Sequence, residues 1–245
     1  MKYSRLVVAL LCIGLCTALR AAPYQVVTEE WAPYNYQENG TLTGMSTDII
    51  RAIMAQTGDA FTITMLPSMR SAYSLQKNPK TIMYSLFRTP EREGLYKWVG
   101  PIIEATIYPY QLASAQPQVN TLEQLRHAEQ ITTRNAGLIP ETLDARGFVN
   151  LDRSASANQQ LYLMLLAGRT SLIVGDTAAG VAYYSRRLNI APGMLRRVPV
   201  EVFRASLYIA FSLDSDDNVV AAWSRALEQL RRSGELERIE RRYEQ

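Results

Sequence analysis

Residues 81–92 read TIMYSLFRTPER, an apolar strand that runs directly into a polar turn ending in Arg92. Residues 168–176 read GRTSLIVGD, in which a second apolar strand at 171–174 leads to Asp176. In open α/β sheets, ligands bind outside the carboxyl ends of the strands, so side chains just after a strand are candidates for a binding site. A guanidinium can donate two parallel hydrogen bonds to a carboxylate, and an aspartate suits an ammonium group.

The segments around these strands alternate between strand-like and helix-like patterns, which is typical of an α/β layered fold. Strands are predicted at 24–28, 61–65, 81–86, 130–133, 171–174, 196–202 and 207–211. Helices are predicted from capping residues at 46–48 to Gly58, at 68–76, after a capping box of Thr121 and Gln124, at 156–167, from 215–217 through Leu230, and up to Tyr243.

The first 22 residues have the pattern of an export signal. A positive start is followed by an apolar run at 6–15, too short to span a bilayer, and then by small residues at Ala21 and Ala22. We therefore expect residues 1–22 to be a cleaved signal peptide, with an N-terminal membrane anchor as the alternative. A lipid anchor on Cys16 fits less well, because a leucine precedes it instead of a small residue.

Without that segment, the composition disfavours several kinds of site. Three of the 26 basic residues lie in it, so 23 basic residues stand against 23 acidic ones, and no net charge favours nucleic acid or an anionic membrane. Both cysteines also lie in it, and the only histidine is His127. A cysteine nucleophile and a zinc site of His and Cys ligands are disfavoured, and we expect no metal and no cofactor. Export without disulfides is typical of the bacterial periplasm.

Four stretches carry a resemblance to a known family. They are TEEWAPYNY (28–36) with GTLTGMSTDII (40–50), RTPERE (88–93) with KWVGPI (97–102), LLAGRTSLIVGD (165–176), and YIAFS (208–212) followed by a terminal helix pair. In this order they resemble the bacterial extracellular solute-binding proteins of the polar amino acid type. Each stretch alone is weak evidence for the family, but the four occur in the correct order and together cover essentially the whole chain after the signal peptide.

The resemblance implies an α/β, two-lobed periplasmic-binding-protein-like fold with a hinge of two crossing segments. Lobe 1 would be discontinuous, with residues 23–108 and 205–245, and lobe 2 would cover residues 109–204. The ligand would lie in the cleft between the lobes.

The resemblance also assigns roles to the two charged residues. Arg92 would hold the α-carboxylate of the ligand; from the residues alone, an exposed arginine paired with Glu91 or Glu93 is the alternative. Asp176 would bind the α-ammonium. Its position also suits the N-cap of a helix that begins near Thr177, and the two roles are compatible.

Trp31 and Ser85 complete the expected ligand contacts. Trp31 would lie over the ligand, where it would exclude water and offer cation–π attraction to an ammonium; the alternative is that it packs beneath its own loop. Ser85 is expected to contact the carboxylate beside Arg92.

Three positions depart from the family pattern and leave the ligand's identity open. Phe87, also a candidate ligand contact, stands where a small hydroxyl residue often helps to hold the carboxylate. Ser68 stands where many relatives have a second aromatic wall, and Leu138 where Ser or Thr is common. Arg70 either faces the cleft, where it would favour an acidic or larger ligand, or lies on the surface.

Together these features predict a monomeric, non-enzymatic periplasmic receptor. It would close its lobes around one small amino-acid-like zwitterion or carboxylate and deliver it to an inner-membrane permease of the ABC type. Two alternatives use the same fold. One is a ligand-sensing protein without a transport role, and the other is a cyclohexadienyl dehydratase-like enzyme with Asp176 or Glu30 as general acid.

Overall fold

A nine-stranded mixed sheet organises residues 24–243, the part of the chain that the computed structural model describes. The predicted signal peptide lies outside these residues. The strands are β1 Gln25–Thr28, β2 Tyr36–Glu38, β3 Thr41–Thr43, β4 Ile63–Met65, β5 Thr81–Phe87, β6 Lys97–Leu112, β7 Ile131–Arg134, β8 Leu151–Ala155, β9 Ile173–Thr177, β10 Leu195–Arg197 and β11 Phe203–Phe211. The helices are α1 Met45–Thr57, α2 Ser68–Lys77, a 3₁₀ helix Pro90–Leu95, α3 Leu122–Arg126, α4 Leu138–Ala145, α5 Asn158–Leu166, α6 Ala178–Arg187, α7 Asp217–Arg232 and α8 Glu235–Tyr243.

The sheet has two halves joined by two long strands. Its order is β4-β1-β5-β11-β6-β9-β7-β8, with β10 paired to β6, while β2 and β3 form a separate hairpin. We call β1, β4 and β5 the first half and β7, β8 and β9 the second half; within each half the strands pair in parallel. Between them β6 and β11 pair antiparallel, from Phe203 opposite Ile107 to Phe211 opposite Lys97. The predicted α/β class with two connecting segments is confirmed, and the proposed lobe boundaries stay a prediction.

Helix α1 covers the first half with the face that its sequence predicts. Ile49, Ile50 and Ile53 are fully buried, and the helix ends at Gly58 in the left-handed conformation (φ 76°), which glycine adopts without a Cβ penalty. Helix α7 packs on α1, with Trp223 fully buried. The predicted apolar faces of both helices are therefore confirmed.

The start of α1 differs from the prediction. Ser46, Thr47 and Asp48 were expected as capping residues, but the N-cap is Gly44, and it makes no side-chain cap. The first free N–H groups of the helix instead donate to backbone carbonyls: Met45 to Pro33 at 2.9 Å, and Ser46 to Tyr34 at 2.9 Å. A Cβ at Gly44 would lie 2.4 Å from the Tyr34 oxygen, so only glycine allows this approach. The contact ties α1 to the loop that carries Trp31.

Two predicted strands are also corrected. The alternating segment 196–202 is a strand only at β10, Leu195–Arg197, although Val198, Val200 and Val202 are buried as their spacing predicted. Strand β9 extends to Thr177, so Asp176 lies inside the strand and not after it. By contrast, the capping box of Thr121 and Gln124 at α3 is present in full.

Sequence periodicity does not predict strand β8, the full length of helix α4 or the β2–β3 hairpin, because each segment is too short to show a repeating pattern. Among the helices within residues 24–243, none combines the length and apolarity needed to cross a membrane.

Candidate functional site

A cavity of about 240 Å³ lies between the two halves of the sheet, at the carboxyl ends of β1, β5, β7 and β9. From the first half it is lined by Glu29, Trp31, Ser68, Met69, Ala72, Met83, Ser85, Leu86, Phe87 and Arg92. From the second half it is lined by Thr133, Arg134, Ala136, Gly137, Leu138, Ile139, Pro140, Glu141 and Gly175. A cavity of this size suits a small molecule and excludes a folded partner.

A bulge in β5 shapes the wall of the first half. Residues along a regular strand alternate between its two faces, yet the consecutive residues Ser85, Leu86 and Phe87 all line the cavity. The pairing with β11 skips a residue here, because Tyr208 lies opposite Leu86 and Ala210 opposite Met83. Ser85 has φ 61°, a left-handed conformation that is uncommon for a non-glycine residue. Such bulges re-aim side chains, and this one points three neighbours at the same space.

Arg92 lies on the 3₁₀ helix and lines the cavity. Its Nη1 donates to the Phe87 carbonyl oxygen at 3.4 Å, and it forms no ion pair with any residue in the described range 24–243. Glu93, the partner expected in the alternative interpretation, is bound instead by Arg88, whose Nε lies 2.7 Å from Oε2. The Arg92 guanidinium is thus available to an anion in the cavity.

The aromatic wall consists of Trp31 and Phe87. Their ring centroids lie 5.6 Å apart, and the Tyr34 ring packs against Trp31 with 4.8 Å between centroids. Trp31 is 7% exposed and lines the cavity. The opposite wall has Ser68 and Met69 and no ring, as expected from the departure at Ser68.

Glu29 and Arg134 form an ion pair across the cavity, with 3.3 Å between Oε2 and Nη2. Glu29 follows β1 in the first half, and Arg134 ends β7 in the second. Both side chains are largely buried, and Nε of Arg134 has no hydrogen-bond partner within the described residues.

Asp176 is enclosed behind the cavity wall. Oδ1 accepts hydrogen bonds from Trp31 Nε1 at 3.4 Å and from the Thr177 backbone at 2.9 Å, and Oδ2 accepts from the Tyr162 hydroxyl at 3.0 Å. The residue is 4% exposed and does not line the cavity. Burial raises the pKa of its carboxyl to about 7, although hydrogen bonds from Tyr162, Thr177 and Trp31 oppose the rise. The N-cap of α6 is Thr177, which accepts from the Gly180 N–H, so the capping alternative for Asp176 is wrong.

The remaining candidates take different positions. Ser85 lines the cavity, but its hydroxyl donates to Asn35 Oδ1. Arg70 is exposed and is not among the cavity residues, which favours its surface alternative. Leu138 opens α4, whose N-cap Gly137 makes no side-chain cap, so the first turn of that helix faces the cavity with free N–H groups.

Within residues 24–243, no cluster of His, Cys, Asp and Glu is arranged to hold a metal ion.

Residues 24–245 match the sequence pattern of the bacterial extracellular solute-binding proteins, family 3. The chain belongs to this family. The resemblance inferred from the four sequence stretches is therefore confirmed, and the family is one of binding proteins. A comparison with curated protein sequences gives no match.

Several solved structures share the fold. A histidine kinase sensor domain similar to periplasmic binding proteins superposes with a TM-score of 0.79 at 20% identity, covering 91% of this chain and 96% of that one. The arginine-, lysine-, histidine-binding protein ArtJ of Geobacillus stearothermophilus gives 0.74 at 22% identity, with 90% and 94% covered. An ancestral amino acid-binding protein described as a precursor of cyclohexadienyl dehydratase gives 0.75 at 17%, with 90% and 94% covered. At these identities the likeness establishes the periplasmic-binding-protein-like fold alone.

Sequence reasoning missed four cavity residues with polar side chains: Glu29, Thr133, Arg134 and Glu141. Glu29 directly follows β1, and Thr133 and Arg134 end β7, so these three satisfy the strand-end rule. Applied to every predicted strand, that rule would have found those three, whereas Glu141 lies on α4 and carries no such signal.

Proposed function

We propose that this protein is a periplasmic receptor that captures a small amino-acid-like solute by its carboxylate and delivers it to an ABC transporter of the inner membrane. The observation that carries the proposal is Arg92, a half-buried guanidinium that lines the cavity between the two halves of the sheet and has no ion-pair partner among residues 24–243. A carboxylate in the cavity would receive charge-assisted hydrogen bonds there, which are about twice as strong as neutral ones.

Contacts between the halves support capture by closure. Besides the Glu29–Arg134 pair, Trp31 donates to Asp176, and the Tyr34 hydroxyl lies 2.8 Å from Thr177 Oγ1. Each contact joins the loop after β1 to a strand of the second half, so each forms only when the halves are together. A ligand that touches both halves favours that arrangement over an open one.

The test is thermal unfolding of the ligand-stripped protein with a panel of amino acids, other small carboxylates, polyamines, dipeptides and prephenate. A ligand at a hundredfold its dissociation constant adds about 2.7 kcal/mol. For a domain of 150–250 residues, this raises the unfolding midpoint by roughly 5–11 °C. We expect a shift with carboxylates and none with polyamines. A shift with polyamines alone would contradict the proposal.

Two other functions are supported by particular observations. The likeness to a histidine kinase sensor domain favours a sensing role, which co-purification with a sensor kinase instead of a permease would reveal. The likeness to an amino acid-binding precursor of cyclohexadienyl dehydratase provides the enzymatic alternative. In that case Asp176, which does not line the cavity, would have to reach the substrate to act as a general acid. Release of phenylpyruvate from prephenate by the purified protein would establish that activity.

A further inference from the structure

The carboxylate of Asp176 is enclosed by donors of the protein itself and is 4% exposed. Oδ1 accepts from the Trp31 indole and the Thr177 backbone, and Oδ2 accepts from Tyr162. On the remaining side, a Cβ placed on Gly180 would lie 1.8 Å from Oδ1, which shows how closely α6 covers the group. Nothing of Asp176 lines the cavity.

The Trp31 indole stands where an ammonium would have to be. It comes from the first half, its N–H points at an oxygen of the second half, and its ring lines the cavity. A neutral N–H therefore provides Asp176 with the donor that a zwitterionic ligand would otherwise supply.

The other acids of the cavity do not replace Asp176. Glu29 is neutralised by Arg134 at 3.3 Å, and Glu141 is exposed at the start of α4. An ammonium in the cavity would instead meet the guanidinium groups of Arg92 and Arg134. Burying a charge without a partner of opposite sign is costly, and like charges nearby raise the cost further.

The second half offers hydrogen-bond donors in place of an acid. Thr133 lines the cavity and is fully buried, and its hydroxyl has no hydrogen-bond partner among the described residues. Nε of Arg134, the next residue in the chain, has none either. A hydroxyl can donate or accept, whereas a guanidinium can only donate, so the two residues together favour an oxygen acceptor on the ligand over an ammonium. Most of the remaining lining is apolar, with Met83, Leu86 and Ile139 as examples.

We propose that the cavity selects carboxylic acids that carry an oxygen where an amino acid carries its ammonium group, namely 2-oxo or 2-hydroxy acids with an apolar side chain. This inference rests on the proposed function in taking Arg92 as the carboxylate contact. It makes Asp176 an internal contact that positions Trp31 and not a ligand group.

Matched pairs of compounds test the selection. Calorimetric titration of the purified protein would compare leucine with 4-methyl-2-oxopentanoate, and methionine with 4-(methylthio)-2-oxobutanoate. We expect each 2-oxo acid to bind at least tenfold more tightly than its amino acid. An amino acid that binds as tightly as its 2-oxo partner, or more tightly, overturns this inference while leaving the proposed function intact. Binding of none of the four compounds also overturns this inference, whereas the proposed function fails only if no carboxylate of the thermal panel binds.

The variant Thr133→Val tests whether the Thr133 hydroxyl binds the ligand, without a general effect on folding. It removes an unpartnered hydroxyl and keeps the shape of the side chain, so the protein should fold as before. We expect a loss of about tenfold in affinity for 4-methyl-2-oxopentanoate and a smaller loss for leucine, so that the preference for the 2-oxo acid falls. Thr132→Val is the control, because the Thr132 hydroxyl donates to Asp152 at 3.2 Å and does not line the cavity. An unchanged preference in Thr133→Val overturns the assignment.

Discussion

Glu29 Oε2 and Arg134 Nη2 lie 3.3 Å apart, although the two residues are 105 positions apart in the chain and belong to different halves of the sheet. Each side chain is at most 20% exposed, so water screens the pair only weakly. The pair joins the two walls of the cavity. Because the two charges neutralise each other, neither side chain offers a full charge to a ligand.

A double-mutant cycle should therefore detect the pair. We expect Glu29→Gln and Arg134→Gln to show a coupling energy of about 1–2 kcal/mol in urea unfolding, within the range for residues in direct contact. The exposed pair of Arg204 and Glu201 is the control, with an expected coupling of about 0–0.5 kcal/mol. Equal coupling in the two pairs would show that the cavity pair adds nothing to the closed arrangement.

Arg92→Ala should weaken binding of the tightest carboxylate found in the thermal screen by about 3–5 kcal/mol, because a buried carboxylate would lose its partner. Titration calorimetry would measure this as a rise in Kd of roughly two to four orders of magnitude. Arg88→Ala is the matched control: Arg88 lies four residues away, packs over the Trp98 and Tyr208 rings, and does not line the cavity. If both variants bind as the native chain does, Arg92 is not the carboxylate contact.

Stability should fall as the pH rises from about 4 to about 7. In the unfolded chain Asp176 loses its proton near its ordinary pKa of 3.8, whereas burial raises the folded value to about 7. The folded state thus binds more protons between these values, and stability declines until the folded carboxyl ionises. At ~1.4 kcal/mol per pKa unit, the loss is at most about 4 kcal/mol.

The variant Asp176→Asn isolates this effect, because it keeps the shape of the side chain but does not titrate. Four tyrosines interact with the carboxyl, and they stay neutral over this range since burial raises the pKa of each: Tyr34, Tyr110, Tyr162 and Tyr184. Urea unfolding of both proteins from pH 4 to 8 would show the native chain losing stability relative to the variant. A constant difference across that range would mean that Asp176 is ionised throughout.

Gly180→Ala should destabilise the fold by about 1–3 kcal/mol, the usual range for overpacking. The added methyl would lie 1.8 Å from Asp176 Oδ1, and this clash should outweigh the ~1 kcal/mol that alanine gains over glycine in a helix. Gly94→Ala is the control, since nothing lies within 4 Å of a Cβ there. If thermal unfolding shows Gly180→Ala to be as stable as that control, α6 does not press on the carboxylate.

Much of the fold and part of the site could be predicted from local patterns. Apolar periodicity and capping residues located α1, α5, α7 and α8, because these helices bury one face against a sheet or another helix. Arg92 was placed at the cavity by its position after a strand together with the family resemblance, whereas Trp31 and Phe87 were placed there by the resemblance alone.

Contacts between distant segments account for what local patterns could not predict. The carboxylate of Asp176 is sealed by Trp31, 145 residues earlier in the chain, and no local pattern reports that approach. The start of α1 was misplaced for the same reason, because its N–H groups bind the carbonyls of Pro33 and Tyr34. The bulge at Ser85 depends on the register with β11, which the sequence of β5 alone does not contain.

The position of Trp31 gives the chain an optical property. Of its three tryptophans, Trp223 is fully buried against Phe211, and Trp98 donates to the Glu93 carbonyl on the outside of the cavity. Only Trp31 touches both the cavity and a titrating carboxylate. The fluorescence of this indole is therefore a label-free reporter of ligand binding. Its emission wavelength shifts when a ligand fills the cavity, and it also shifts when Asp176 ionises.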